Sequence, residues 1–184
     1  MNKIDENWSK AYDGGKDFRP LFPIDLDRIL ALLPDDEEKQ HLDIGCGTGG
    51  LTREMFHRGY TSTGIDPSSS AIERAKSATI YLGRGLTYMH DDFESVALEK
   101  EAYSLVTCKL VYAFFEDKRA CLEKMRSLLS ASGRVALITK VHDSADTATP
   151  ISVDESEIRD ALRETFGNVQ ELDLEWAKCF VCHR

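Results

Sequence analysis

An α/β fold is what this sequence predicts: a doubly wound, mostly parallel seven-stranded sheet with an antiparallel C-terminal strand and helices on both faces. Three observations carry it. The apolar pattern switches repeatedly between the helical and the strand period; the acids Asp43, Asp66 and Asp91-Asp92 each follow or close a short apolar run; and the last two runs are joined too closely for a helical crossover. Taken in order, Leu26, Ile29, Leu30 and Leu33 share one helical stripe within Ile24 to Leu33, and Pro34 closes it. His41 to Gly45 reads as a buried strand that runs into a Gly-rich turn and a helix from Leu51 to Arg58, stopped by Gly59. Tyr60 to Ile65 makes the second strand, and Ser70-x-x-Glu73 has capping-box spacing for the next helix. Leu86 to His90 and Tyr103 to Lys109 are the third and fourth strands. A helix from Lys118 to Ser130 turns Cys121, Leu122, Met125, Leu128 and Leu129 inward, with Gly133 as its end, and Arg134 to Val141 is the fifth strand. Ser152-x-x-Glu155 caps a last helix that buries Ile158, Ala161, Leu162 and Phe166 before Gly167. Val169 to Leu174 and Lys178 to Cys182 form the closing antiparallel pair.

Composition narrows the function classes. With 184 residues, 42% of them apolar, the chain suits one core, and eight Phe, six Tyr and two Trp argue against disorder. No apolar run approaches the roughly 18 to 20 residues of a membrane span, and Asp5 and Glu6 stand where a signal peptide would be apolar, so a soluble cytoplasmic protein is expected. The net charge of −9 disfavours nucleic acid, whose phosphates call for clustered Lys and Arg. Five cysteines, an odd number, fit a reducing compartment better than a disulfide framework. Cys179-x-x-Cys182 followed by His183 lacks the second ligand pair that structural zinc normally needs, so no metal is expected.

Ligands of open parallel sheets bind beyond the C-terminal strand ends, where the strand order reverses. There the sequence gathers Asp43-x-Gly45-x-Gly47-x-Gly49, then Asp66, then Asp91-Asp92. Glycines let a backbone approach a ligand and a second-strand carboxylate accepts both hydroxyls of a ribose, which together describe a nucleoside site. Gly45-Cys-Gly-Thr-Gly-Gly50 alone also satisfies the dinucleotide fingerprint, so by itself it serves a nicotinamide or a methyl donor.

From Leu26 to His183 the chain resembles the Rossmann-like class I S-adenosylmethionine-dependent methyltransferases: His41-Leu-Asp-Ile-Gly-Cys-Gly-Thr-Gly-Gly50 looks like their first motif and Gly64-Ile-Asp-Pro-Ser68 like their acidic second-strand motif. Asp43 would repel a pyrophosphate and suits a cationic sulfonium and ammonium, and the acid at Asp92 and the terminal strand pair point the same way. The resemblance implies S-adenosyl-L-methionine as cofactor and S-adenosyl-L-homocysteine as product. It lays Gly45, Cys46, Gly47 and Gly49 along the methionine moiety. Asp66, with Pro67 and Ser68, would hold the ribose; Asp92 and Phe93 would flank the adenine; and Lys109-Leu-Val-Tyr112 would face the methyl group, Lys109 with a backbone contact to the cofactor. Residues 24–184 then form a single Rossmann-like methyltransferase domain. Residues 1–23 form a cover segment carrying Trp8, Tyr12, Phe18 and Arg19 around the hinge Gly14-Gly15, with Arg19 paired to the donor's carboxylate.

In-line displacement at a sulfonium is driven by positioning, so no catalytic residue is required; for a phenol or protonated amine, Tyr112 or His142 is the candidate base. The acceptor expected is a small molecule facing Trp8, Tyr12, Tyr112 and His142. The link His142 to Ile151 is only ten residues long, and no Asn-Pro-Pro-Tyr-like tetrad follows the fourth strand. The rival readings are a catalytically idle cofactor-binding module, a methyltransferase acting on protein side chains, and, last, a nicotinamide oxidoreductase.

Overall fold

A computed structural model describes residues 3–14, 19–35, 39–143 and 149–183; Gly15, Phe18 and residues 144–148 of the link after His142 lie outside the described residues. The elements are α1 (Lys3–Asp13), α2 (Pro23–Leu30), β1 (Gln40–Ile44), α3 (Gly50–His57), β2 (Thr61–Asp66), α4 (Ser69–Ser77), β3 (Leu86–His90), β4 (Tyr103–Lys109), a 3₁₀ turn (Tyr112–Phe114), α5 (Lys118–Leu128), β5 (Leu129–His142), β6 (Ser152–Asp154), α6 (Glu155–Phe166), β7 (Asn168–Asp173) and β8 (Lys178–His183). The sheet runs β3-β2-β1-β4-β5-β8-β7, with β6 beside the far end of β5. β8 lies antiparallel between β5 and β7, and the other pairings are parallel. Successive strands therefore move outward in opposite directions from β1 and β4, which opens a crevice between their C-terminal ends.

Strand alternation builds both faces of the core. On β8, Phe180 and Cys182 join Leu122, Met125 and Leu162 of α5 and α6, whereas Cys179 and Val181 join Leu26, Ile29 and Met55 of α2 and α3. The two thiols of Cys179-x-x-Cys182 thus face opposite layers, and burial pushes that of Cys182 up to about 12.

Local expectations differ from the structure in four places. The sheet has an eighth strand, β6, because Ser152 to Asp154 continue the β5 ladder, and Asp154 caps α6 by accepting from the Ser156 and Glu157 N–H groups. Ser68 caps α4 through the Ala71 N–H, two residues before the expected Ser70. No loop follows α5: β5 starts at Leu129 and runs through Gly133. The segment Lys3–Asp13 is helical although no stripe was evident: among its described side chains the buried ones are Ser9 and Tyr12, a serine beside an aromatic.

Lys124 of α5 donates to the carbonyls of Phe93 and, at 2.6 Å, Val96, and its ammonium lies 4.7 Å from the centre of the Phe93 ring. This clamp fixes the turn after β3. Lys124→Met is expected to destabilise the chain by about 1.5 to 3 kcal/mol, read as a shift of the urea midpoint at constant slope.

Candidate functional site

β1 is buried from His41 to Ile44, so its one carboxylate must be satisfied internally. Asp43 stands in register between Gly64 of β2 and Thr107 of β4, and its oxygens accept from Thr107 Oγ1 and Thr52 Oγ1, each at 2.7 Å. Burial raises its pKa against those hydrogen bonds and the charge of Lys109. Thr107 Oγ1 also lies 2.9 Å from His41 Nε2, and Ser62 Oγ lies 3.2 Å from His41 Nδ1. Since Thr107 spends its proton on Asp43, His41 donates from Nε2 and accepts at Nδ1 from Ser62. Burial lowers the His41 pKa to about 3, which keeps the ring neutral as this network needs.

Beyond β1 the chain turns through the glycine loop. Gly45 and Gly47 have φ of 65° and 54°, a region open to glycine at little expense, and both are pressed from above: a Cβ on Gly45 would strike Val111, and one on Gly47 would stand 2.5 Å from the Tyr12 hydroxyl oxygen. Gly50, the first residue of α3, has nothing within 4 Å of its Cβ position. Gly47→Ala should therefore destabilise the chain by at least about 1 to 2 kcal/mol, while Gly50→Ala should be neutral or stabilising; paired thermal melts check the contrast.

Asp66 ends β2 and binds the loop: Oδ2 accepts from the Gly47 N–H at 2.8 Å and Oδ1 from the Ser68 N–H at 2.9 Å. Burial raises its pKa to about 6. At the neighbouring strand end, the Asp91 N–H donates to the Asp66 carbonyl at 3.2 Å.

A cleft of about 490 Å³ opens over these residues at the crevice between β1 and β4. Gly45, Cys46, Gly47, Asp66 and Pro67 line one side, and Lys109, Leu110 and Val111 another. Trp8, Tyr12 and Arg19 close over it, Trp8 meeting Phe114 edge to face with ring centres 4.9 Å apart. α1 is anchored on α4 by Ser9 Oγ, 2.9 Å from Ser68 Oγ, and by Arg74, which donates to the Tyr12 carbonyl at 2.8 Å.

Seven expected site residues lie outside the lining of this cleft. Asp43 is held behind the loop by its two threonines, Gly49 is the N-cap of α3, and Ser68 is buried beneath α1. Asp92 accepts the Glu94 N–H in its own turn, and Phe93 points into the core against Phe115. Tyr112, expected to face the acceptor, is instead packed in the core with Phe115 and Cys121, because the turn after β4 rotates it toward α5 and α6. That removes it from the list of candidate bases. The other candidate, His142, is carried past the cleft by the long β5 and stands opposite Asp154. Sequence reasoning placed Leu110 at the methyl group without any sign of its φ of 61°, and it missed the His41, Thr52 and Thr107 support of Asp43, which the register of β1 with β4 and the start of α3 bring together.

Comparison with known proteins gives the family and supports the fold. Residues 42–137 match a family model described as a methyltransferase domain. Ubiquinone biosynthesis O-methyltransferases of Vibrio vulnificus and Nitrosomonas europaea are 29% and 30% identical over 143 residues, 76% of this chain in each case and 61% and 60% of theirs. The chain thus spans about three fifths of the length of these relatives. Among solved structures, a SAM-dependent methyltransferase of Leishmania major superposes with a TM-score of 0.72 at 17% identity, covering 86% of this chain and 71% of that one. One from Mesorhizobium loti gives 0.69 at 17% identity, covering 87% and 97%. The chain belongs to the methyltransferase domain family, the class I S-adenosylmethionine-dependent methyltransferases, whose cofactor is S-adenosylmethionine.

Proposed function

We propose that this chain transfers a methyl group from S-adenosylmethionine to an oxygen of a small, largely apolar acceptor, in the cytoplasm and without a nucleic-acid partner. The observation that carries the proposal is Asp66: a buried carboxylate on the cleft wall whose two protein donors leave acceptor positions for two ribose hydroxyls. The residues present fit the cofactor. Asp66 and Pro67 would hold its ribose, the backbone of residues 45–47 its methionine moiety and Arg19 its carboxylate, with residues 1–23 as the cover; when bound it supplies a methyl group activated on a cationic sulfur. α1 lays Trp8 over the cleft and against Phe114 of the 3₁₀ turn, a cover that would help to keep water from the reacting groups. The names of the relatives support oxygen as the acceptor atom, and the aromatic rim supports a planar or apolar body. Incubating the chain and labelled S-adenosylmethionine with cell extract tests this. Label is expected in a new compound of the small-molecule filtrate, resolved from the donor itself; label in the protein or RNA fraction, or cofactor binding without transfer to any compound, overturns it.

A further inference from the structure

α1 meets the ribose anchor at two points, and both are residues that hold Asp66. The Asp66 carboxylate takes its two backbone hydrogen bonds from the Gly47 and Ser68 N–H groups. Over Gly47 stands the hydroxyl of the buried Tyr12, 2.5 Å from where a Cβ would be. On Ser68 stands Ser9, buried with it, the two Oγ atoms 2.9 Å apart. The rest of the seam is made by α4. Asp13 accepts from the Ser70 hydroxyl at the start of that helix, which has no acid of its own in its first turn, and Arg74 donates to the Tyr12 carbonyl at 2.8 Å. Ser9, Asp13, Ser70 and Arg74 lie outside the lining of the cleft, whereas Tyr12 and Asp66 line it. With α1 in place only 5% of Asp66 is exposed. If α1 leaves α4, both supports of the carboxylate lose a neighbour and water competes for its oxygens.

We infer that α1 is a cover latched on α4, that its docking and cofactor binding strengthen each other through Asp66, and that Ser9, Asp13 and Arg74 are positioning residues which govern cofactor release without touching the cofactor. This inference rests on the reading of Asp66 as the ribose anchor and adds the control of access to it. The coupling is reciprocal: the factor by which docked α1 raises cofactor affinity is the factor by which bound cofactor holds α1 down. A factor of about 5 to 50 is expected, in the ordinary range for coupled sites. Alone, a helix of eleven residues is marginal, so the amides of α1 exchange with solvent when it undocks and report docking directly.

The test combines hydrogen exchange of the α1 amides with calorimetry of S-adenosylhomocysteine, on the full chain and its variants. Asp13→Lys puts a cation at an exposed position beside the α4 N-terminus, where the helix end is itself positive, and Arg74→Met removes the donor to the Tyr12 carbonyl. Both should speed α1 exchange in the free protein while leaving the exchange of the sheet as it is. Both should weaken cofactor binding, Asp13→Lys by about 5- to 50-fold, with a matching rise in the dissociation rate. Saturating S-adenosylhomocysteine should slow α1 exchange in the native chain by at least the factor that Asp13→Lys costs in affinity. Arg74→Lys should restore much of what Arg74→Met loses. If Asp13→Lys does not fold, the Arg74 pair carries the same comparison. Faster α1 exchange at unchanged affinity, bound cofactor that leaves α1 exchange as it was, or native exchange in both variants overturns the inference. Asp66→Asn separates it from the reading beneath it: cofactor binding indifferent to Asp66→Asn removes the ribose anchor and this inference with it, whereas binding that needs Asp66 and ignores α1 overturns this inference alone.

Discussion

Cofactor affinity is expected to fall as the pH drops through about 6, the value to which burial raises Asp66. Above that pH the carboxylate accepts from the Gly47 and Ser68 N–H groups and has positions left for two hydroxyl donors. Protonation places a donor among those donors, so each pH unit below the transition should weaken binding by up to about tenfold. Asp66→Asn supplies the control, since its amide has the shape of the acid but does not titrate. Its affinity should be about 10- to 100-fold lower near neutral pH, as expected for loss of hydrogen bonds to a charged group, and nearly flat in pH. Any slope left in that variant reports other groups near the site, the raised carboxyl of Asp43 among them. Calorimetry with S-adenosylhomocysteine across this range decides it: a native chain whose affinity is the same on both sides of the transition would remove Asp66 from the ribose.

The parts of the site that were legible in the sequence are those fixed by chain connectivity. A glycine run at the end of a strand and an acid at the end of the next are carried to one crevice by parallel pairing alone, so Gly45, Gly47 and Asp66 come together however the surrounding turns are built. Side-chain direction beyond a strand end is different, because it depends on backbone angles that residue type does not announce. Leucine gives no hint of the left-handed conformation at Leu110, and the turn that follows sends Tyr112 into the core while Val111 meets Gly45. Phe93 was misread for a related reason: its partner, Lys124, lies 31 residues away on α5. The fold was legible wherever a period was long. It was not at β6, a strand of three residues whose Ser-Val-Asp also reads as a cap, nor at α1, whose described buried side chains are a serine and a tyrosine.

Acid destabilisation of this chain is expected to begin near pH 6.5, well above the carboxylate range, and His41 is its cause. The ring is fully buried between Ser62 and Thr107 and its pKa falls from 6.5 to about 3. Between those values the unfolded chain binds a proton that the folded chain refuses, so stability is lost as the pH drops through 6.5 and goes on being lost toward 3. The full shift corresponds to on the order of 4 to 5 kcal/mol, a large part of the stability of an ordinary domain. Two buried carboxylates oppose it: with raised folded pKa values, Asp66 and Asp43 make the folded chain the better proton binder between their unfolded value of 3.8 and their folded ones, which favours folding on the acid side. Glu171, held low by Arg159, releases its contribution only in the carboxylate range. The net loss from neutrality down to about 6 therefore belongs mainly to His41. His41→Gln retains an amide donor toward Thr107 and cannot take up a proton in this range. It should be less stable than the native chain near neutral pH, from imperfect packing, yet its urea midpoint should rise between about pH 6.5 and 5 as Asp66 takes up its proton, whereas that of the native chain falls down to about pH 6 and then stays nearly level. Parallel pH profiles for the two proteins would show that the early loss comes from elsewhere and that the His41 ring is not held neutral by the fold.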